Sequence, residues 1–133
     1  MAYEPHETLP RRLTDPVAWL TTVTSTGRPA PRPIWFVGDG DTLLVFSQPT
    51  AVKVKHIEAN PLVSVNFNTG AGGGDVLVLS GRAKLVPDIK PSTTPGYLEK
   101  YESHYPGIEH DVESFDAMYS QGIRITPDRT WGF

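Results

Sequence analysis

Cysteine is absent from this chain of 133 residues. Its absence excludes disulfide bonds, thiolate zinc sites, iron–sulfur clusters and a cysteine nucleophile. Basic residues are few, 12 against 15 acidic ones, and a net charge of −3 does not favour nucleic acid as a partner. No apolar run has the length of a membrane span, and residues 1–12 carry charges and prolines where a secretory signal is apolar. We therefore expect one cytoplasmic domain over residues 1–133, with no membrane partner.

Six segments of β-branched, aromatic or alternating residues predict strands. These segments are 18–24, 33–37, 42–47, 62–68, 75–86 and 122–126. The turn residues 38–41 predict a hairpin between the second strand and the third. Proline has no N–H for a ladder, so Pro29, Pro31 and Pro33 indicate that the second strand begins at a sheet edge, a bulge or a barrel rim.

Helices are predicted at 51–60, 91–104 and 111–119, although the alternation of residues 52–55 would also suit a strand. The glycine-rich stretch 70–74 is interpreted as a mobile hairpin tip or lid. Short connections favour antiparallel pairing. The pattern therefore predicts a mainly β (α+β) fold, a six-stranded antiparallel barrel with two or three peripheral helices.

The lysines of the first predicted helix are candidates for binding an anion. A helix that begins near Thr50 presents unpaired N–H groups and the positive end of its dipole. Lys53 and Lys55 are two residues apart, so they could flank an anion but would not share one face. The alternative interpretation is that both lysines belong to a solvated helix surface.

Other motifs give no clear site. The residues His104, His110, Asp111 and Glu113 lack the spacing of a known metal site, and we expect no bound metal. The glycine-rich stretch matches neither a phosphate-binding loop nor a dinucleotide fingerprint. No catalytic residue is identified.

Five sequence blocks within residues 19–85 resemble the signature blocks of the pyridoxamine-phosphate-oxidase-like superfamily. They are 20–29, 33–36, 47–49, 53–57 with Asn60-Pro61, and 63–67. The short chain, the Pro-x-Pro-x-Trp-Phe strand and the Lys-x-Lys-His helix most resemble the branch that uses the deazaflavin coenzyme F420. The resemblance implies an FMN-binding type of split β-barrel and a homodimer with two cofactor sites at its interface. It further implies hydride transfer from reduced F420 to an unsaturated small-molecule substrate.

The same resemblance implies roles for eleven residues in binding the cofactor. The strand with Pro33, Ile34, Trp35 and Phe36 would lie beside the tricyclic ring, and Ser47 and Gln48 would lie near the ribityl chain or ring edge. Thr50, Lys53 and Lys55 would bind the phosphate, and Asn66 would support the phosphate pocket. Trp131 would lie near the ring of the partner subunit. Structural alternatives stay open: core packing for Trp35, Phe36 and Trp131, a turn cap for Ser47, and solvent exposure for Asn66.

Several functional alternatives remain. An FMN-dependent oxidase or reductase of the same fold would need nearly the same residues, because FMN also carries a phosphate beneath a tricyclic ring. A non-catalytic flavin- or haem-binding protein is a second alternative. A small-barrel binder of single-stranded nucleic acid, suggested by aromatic residues beside basic ones, is a third. The substrate is open among quinones, enones, tetrapyrrole-like pigments and coumarin-like lactones.

Overall fold

The structure is a computed structural model that describes residues 3–133, and over this range it has seven β-strands and four α-helices. The strands are β1 (Ala18–Val23), β2 (Pro29–Ile34), β3 (Val37–Asp39), β4 (Thr42–Ser47), β5 (Leu62–Phe67), β6 (Leu77–Val86) and β7 (Gln121–Gly132). The helices are α1 (Leu9–Arg12), α2 (Val52–Ala59), α3 (Tyr97–Tyr101) and α4 (Val112–Met118). All four helices are much shorter than the ~20 residues of a membrane-spanning helix.

The seven strands form one antiparallel sheet in the order β2-β1-β5-β6-β7-β4-β3. The edge strands β2 and β3 do not pair with each other over the described residues, so the sheet is open. The mainly β, antiparallel character was predicted correctly. The prediction of a six-stranded barrel was wrong, because the sheet has seven strands and is not closed.

The seventh strand arises because the predicted strand 33–37 is divided. β2 ends at Ile34 and pairs with β1, whereas β3 begins at Val37 and pairs with β4 in the predicted hairpin. The backbone of Phe36, between them, bonds to side chains instead of a neighbouring strand. A bend at this point sends the chain from one edge of the sheet to the other.

The sheet curls around one apolar core. A flat sheet would separate β2 from β4 by roughly 24 Å at the usual spacing between strands. Ile34 of β2 and Val45 of β4 nevertheless belong to the same buried cluster, together with Phe36 from the bend. Helix α2 contributes Ile57 to this cluster.

The prolines of β2 occupy an edge strand, as predicted. Pro29, Pro31 and Pro33 alternate along β2, whose single neighbour in the sheet is β1. Since alternate residues direct their N–H groups to the same side, the three prolines remove the donors from the unpaired side of β2. This edge therefore resists the addition of another strand.

Strand β7 is longer than the predicted segment 122–126 because a bulge admits Pro127. The register of β6 against β7 shifts between Ser80 and Gly81, and Gly81 pairs with Pro127. A Cβ atom at Gly81 would lie 2.2 Å from the carbonyl oxygen of Thr126, so this position requires glycine.

The helical predictions differ in their outcome. Residues 51–60 form α2 rather than a strand, and 111–119 contain α4, which Asp111 and Ser114 cap reciprocally. The segment 91–104 is not one helix. Gly96, at a φ of +84°, breaks it before α3, and short 3₁₀ turns precede and follow α3. Helix α1 was not predicted.

A second, aromatic core joins these helices to the sheet. β4 is buried on both faces, so Leu43 and Val45 enter the main core while Leu44 and Phe46 face the other way. Four aromatic side chains cover that second face, and they are Tyr97, Tyr101, Tyr105 and Phe115. The segment 91–119 is thereby packed against β3 and β4.

The glycine-rich loop is the hairpin tip between β5 and β6, as its position predicted. The buried guanidinium of Arg12 donates to the carbonyl oxygens of Asn68 and Asp75, and its Nε donates to Asp15 at 2.8 Å. These bonds hold both ends of the loop against the N-terminal segment. The Arg12 ion pair to Asp15 is thus part of a network that also serves backbone groups.

Candidate functional site

A cavity of about 260 Å³ lies at the junction of the two cores. The bend after β2, the outer part of β4, the first turn of α2 and the segment 97–119 surround it. Its lining residues are Pro33, Ile34, Trp35, Val45, Phe46, Lys53, Tyr97, Ile108, Phe115 and Tyr119. The walls are thus largely apolar and aromatic, and none of these ten residues is acidic.

The bend that forms one wall is fixed by two adjacent residues of α3, Lys100 and Tyr101, which we call the Phe36 clamp. The Phe36 N–H donates to the Tyr101 hydroxyl at 2.9 Å, and Lys100 Nζ donates to the Phe36 carbonyl at 2.7 Å. Lys100 Nζ also lies 3.7 Å from the centroid of the Phe36 ring. Both backbone groups of Phe36 are therefore satisfied outside the sheet.

The clamp also reaches the N-terminal segment. Lys100 Nζ donates to the carbonyl oxygen of Leu13 at 2.9 Å, and the Tyr101 hydroxyl donates to that of Pro16 at 2.8 Å. Burial lowers the pKa of Lys100 to about 8 and raises the pKa of Tyr101 to about 12. The bend, α3 and residues 13–16 are held together as one unit.

Trp35 is the residue of the bend that faces the cavity and the aromatic core. Its ring stacks on Tyr101 with centroids 4.6 Å apart and planes 6° from parallel, and Phe115 lies at 5.7 Å. The side chain remains partly exposed because it borders the cavity. Trp35 thus contributes aromatic surface, held in place by stacking, to the wall of the cavity.

Lys53 is the one charged residue in the lining. Burial lowers the pKa of Lys53, and the nearby positive charge of Arg32 lowers it further. Lys53 lies in the first turn of α2, and the residue before the helix, Ala51, has extended backbone and provides no side-chain hydrogen bond to that turn. A partly desolvated ammonium group next to the first N–H groups of α2 favours an anionic ligand group.

The predicted site residues divide into those at the cavity and those elsewhere. Pro33, Ile34, Trp35 and Lys53 line the cavity. Phe36 does not, because its ring is fully buried in the main core against Phe67.

The remaining predicted residues lie outside the cavity lining. Ser47 is buried and its hydroxyl donates to the carbonyl of Gln48 in its own turn. Gln48 and Thr50 are exposed just before α2, and Lys55 is exposed on that helix. Within this chain, these four residues do not share the cavity with Lys53.

Sequence reasoning missed the far wall of the cavity. Tyr97, Ile108, Phe115 and Tyr119 come from residues more than 60 positions after Trp35. The helical spacing of Tyr97 and Tyr101 was visible, but it does not indicate which side of the sheet their helix covers.

Two of the four residues considered for a metal site, His110 and Asp111, have structural partners. Asp111 caps α4, and His110 Nδ1 lies 2.9 Å from the hydroxyl of Ser114. Among the described residues, no three His, Asp or Glu side chains are grouped as a metal site would need.

The outer face of the sheet carries the last two predicted residues. Neighbouring strands place one residue each in a row across this face, which we call the outer row: Pro33, Trp19, Asn66, Val78 and Trp131. Trp131 is 62% exposed and contacts Phe133 edge to face, and Trp19 is 36% exposed. The outer row carries no charge and begins at Pro33, which also borders the cavity.

The fold is thus an open, curled antiparallel sheet with a largely apolar cavity at one edge. The sequence pattern of the pyridoxamine 5'-phosphate oxidase family matches residues 6–132, and the chain belongs to this family. No curated protein sequence matches the chain.

Solved structures share the fold across nearly the whole chain. An F420 reductase superimposes with a TM-score of 0.73 at 24% identity, over 96% of this chain and 98% of that one. General Stress Protein 26 from Bacillus anthracis gives 0.64 at 22% identity, over 93% and 92%. HutZ, the heme storage protein from Vibrio cholerae, gives 0.66 at 15% identity, over 95% and 93%. At these identities the likeness establishes the fold alone, because one fold can carry many functions.

The clamp predicts a specific pH dependence of stability. The pKa of Lys100 is about 8 in the folded protein and returns to its ordinary value of 10.5 on unfolding, so the unfolded chain binds more protons between these values. Stability from this group is therefore smallest below pH 8 and increases as the pH rises toward 10.5. Denaturant unfolding at pH 7, 8, 9 and 10 should show the wild type gaining stability relative to Lys100→Met. Parallel pH profiles for the two proteins would contradict the assignment.

Proposed function

We propose that the protein is an oxidoreductase that uses reduced coenzyme F420 to transfer hydride to an unsaturated small molecule. The observation that carries the proposal is a largely aromatic cavity that is lined by residues 33–35 and by one charged residue, Lys53. A flat conjugated ring with a phosphate nearby matches both features of this cavity. Membership of the pyridoxamine 5'-phosphate oxidase family and the fold shared with an F420 reductase support the choice of cofactor class.

The residues present fit such a cofactor. Trp35, which is partly exposed at the cavity, would supply aromatic surface for a tricyclic ring, and Lys53 with the start of α2 would supply charge-assisted donors for a phosphate. Ligand pockets usually measure about 300–1,000 Å³, so a cavity of about 260 Å³ has room for a ring but not for a whole cofactor. The remainder of the cofactor would extend past the exposed Thr50 toward solvent or a second subunit.

The reduced cofactor supplies the hydride, and the protein contributes position and environment. The Phe36 clamp keeps the bend rigid, so that the ring-binding wall is already formed before binding. The apolar lining residues, among them Val45 and Phe46, would exclude water from one side of the ring. The substrate would then approach from the open side.

FMN is the second candidate because the same cavity would accept its ring and phosphate. Haem fits less well. None of the ten lining residues is His, Met or Cys, and one of the two lining tyrosines, Tyr97, has a raised pKa that opposes its ionisation to an iron ligand. The lysine and the aromatic walls therefore favour the flavin class of cofactor.

The proposal includes a homodimer with cofactor sites at the interface. The outer row provides an uncharged surface that includes exposed Trp19 and Trp131. Pro33 belongs both to this row and to the cavity, so a second copy on the outer row would lie beside the cavity. A second copy would thus extend a cavity that is too small for the whole cofactor.

Lys53 and Lys55 form a matched pair for testing the phosphate site. Lys53→Ala should weaken the binding of F420 or FMN by about 10- to 100-fold, since one charge-assisted contact is lost. Lys55→Ala should change the affinity by less than about threefold, because Lys55 is exposed and outside the cavity lining. The dissociation constants are measured by fluorescence titration with each oxidised cofactor.

The same titrations separate the two cofactors. A cofactor present at a hundred times its dissociation constant should stabilise the wild type by about 2.7 kcal/mol in thermal or denaturant unfolding. Tighter binding of F420, with reoxidation of its reduced form by quinones or enones, is the expected result. Equal losses in both lysine variants, or binding of neither cofactor, would refute the proposed site.

Trp131 and Met118 form a second matched pair, because both are large exposed apolar residues and Met118 lies on α4 away from the outer row. Trp131→Glu should convert a wild-type dimer to monomer and weaken cofactor binding, since a charge would be buried in the interface. Met118→Glu should leave the dimer intact. Sedimentation velocity measures the mass. A monomeric wild type, or a Trp131→Glu variant that remains dimeric, would rule out this interface.

A further inference from the structure

Tyr97 is a lining residue that the proposed binding of ring and phosphate does not use. It lies at the start of α3, and its side chain is 1% exposed. Its ring packs edge to face against Phe46, with centroids 5.3 Å apart, and is tilted against Tyr101 at 5.0 Å. The ring is therefore fixed in the wall of the cavity by its neighbours on β4 and α3.

The hydroxyl of Tyr97 makes no hydrogen bond to any other group in residues 3–133. The neighbouring Tyr105 hydroxyl is also buried without a partner, but Tyr105 does not line the cavity, whereas Tyr97 does. Buried hydroxyl groups are rarely left unpaired, because the loss of hydrogen bonding to water is not compensated. The partner of this hydroxyl is thus expected among the molecules that occupy the cavity.

The environment keeps this hydroxyl protonated. Burial raises the pKa of Tyr97, and the surrounding Tyr105, Tyr101 and Tyr119 raise it further. The group therefore remains a neutral O–H at physiological pH, and the acceptor that suits it is an uncharged oxygen. Lys53, the charged member of the lining, provides for a phosphate, so the two polar groups suit different parts of one ligand.

We propose that the Tyr97 hydroxyl donates a hydrogen bond to a ring carbonyl oxygen of the flat conjugated molecule that binds in the cavity. The inference rests on the proposed function for the identity of that molecule. The carbonyl belongs either to the ring of the cofactor or to a quinone, enone or lactone substrate, since all of these carry the same acceptor. Tyr97 thereby sets a requirement for a carbonyl group in the ligand, which an apolar ring of the same size does not meet.

Tyr97→Phe tests the hydrogen bond with little change in packing, and Tyr105→Phe is the matched control. Both variants remove one unpartnered, buried hydroxyl from the aromatic core, but only Tyr97 lines the cavity. Dissociation constants for oxidised F420, FMN and 2-methyl-1,4-naphthoquinone are measured by quenching of tryptophan fluorescence. Tyr97→Phe should weaken at least one of these ligands about 5- to 15-fold, and Tyr105→Phe should weaken none more than about twofold.

The pattern of losses identifies the carbonyl. Weaker binding of both cofactors assigns it to the cofactor ring, and weaker binding of the quinone alone assigns it to the substrate. If the wild type binds the quinone but neither cofactor, and Tyr97→Phe weakens the quinone, the proposed function fails while the hydrogen bond stands. Unchanged affinities in Tyr97→Phe, equal losses in Tyr105→Phe, or a wild type that binds none of the three ligands would overturn the inference.

A measurement on the wild type covers the case in which Tyr97→Phe does not fold. Naphthalene and 1,4-naphthoquinone have the same fused-ring skeleton, and only the quinone offers carbonyl oxygens. The wild type should bind the quinone at least about fivefold more tightly, because only the quinone engages the hydroxyl. Equal affinity for the two compounds would overturn the inference.

Discussion

The peptide of Phe36 is bonded by a lysine and a tyrosine from one short helix, and the arrangement of the site depends on this contact. It ends β2, starts β3, directs the Phe36 ring into the main core and leaves Trp35 at the cavity. An ordinary strand through residues 33–37 would alternate its side chains without a break. The clamp replaces ladder hydrogen bonds with side-chain ones, and thus allows the chain to change edges without unpaired backbone groups.

The cavity that results combines two kinds of polar group in an aromatic chamber. Lys53 is positively charged and partly desolvated, whereas the hydroxyl of Tyr97 is neutral and has a raised pKa. A phosphate and a ring carbonyl are the ligand groups that suit these two donors. The same surroundings that make each donor costly to leave unpaired also make it selective for its acceptor.

The sequence was sufficient for those features that depend on local chemistry. Proline at positions 29, 31 and 33 predicted an edge strand because of its missing N–H, and the turn at 38–41 predicted the β3–β4 hairpin. Lys53 was a candidate because of its place at a helix start. The family blocks directed attention to residues 33–35, which do line the cavity.

Features that depend on distant partners could not be predicted from the pattern. The break after Ile34 requires the bond from Phe36 to Tyr101, which is 65 residues after Phe36, so nothing near Trp35 indicates the break. Lys53 lines the cavity whereas Lys55 is exposed. This difference depends on how α2 packs against the sheet, which the spacing of the two lysines does not indicate. The far wall with Tyr97 and Phe115 depends on which face of β4 the segment 91–119 covers.

A crystal structure of the protein with oxidised F420 would show whether the cofactor occupies this cavity. We expect the tricyclic ring in van der Waals contact with residues 33–35, the phosphate within hydrogen-bond distance of Lys53 Nζ, and the Phe36 peptide still bonded to Lys100 and Tyr101. A cofactor bound away from this cavity, or a bend that has released Lys100 and Tyr101 to admit the ring, would contradict this expectation.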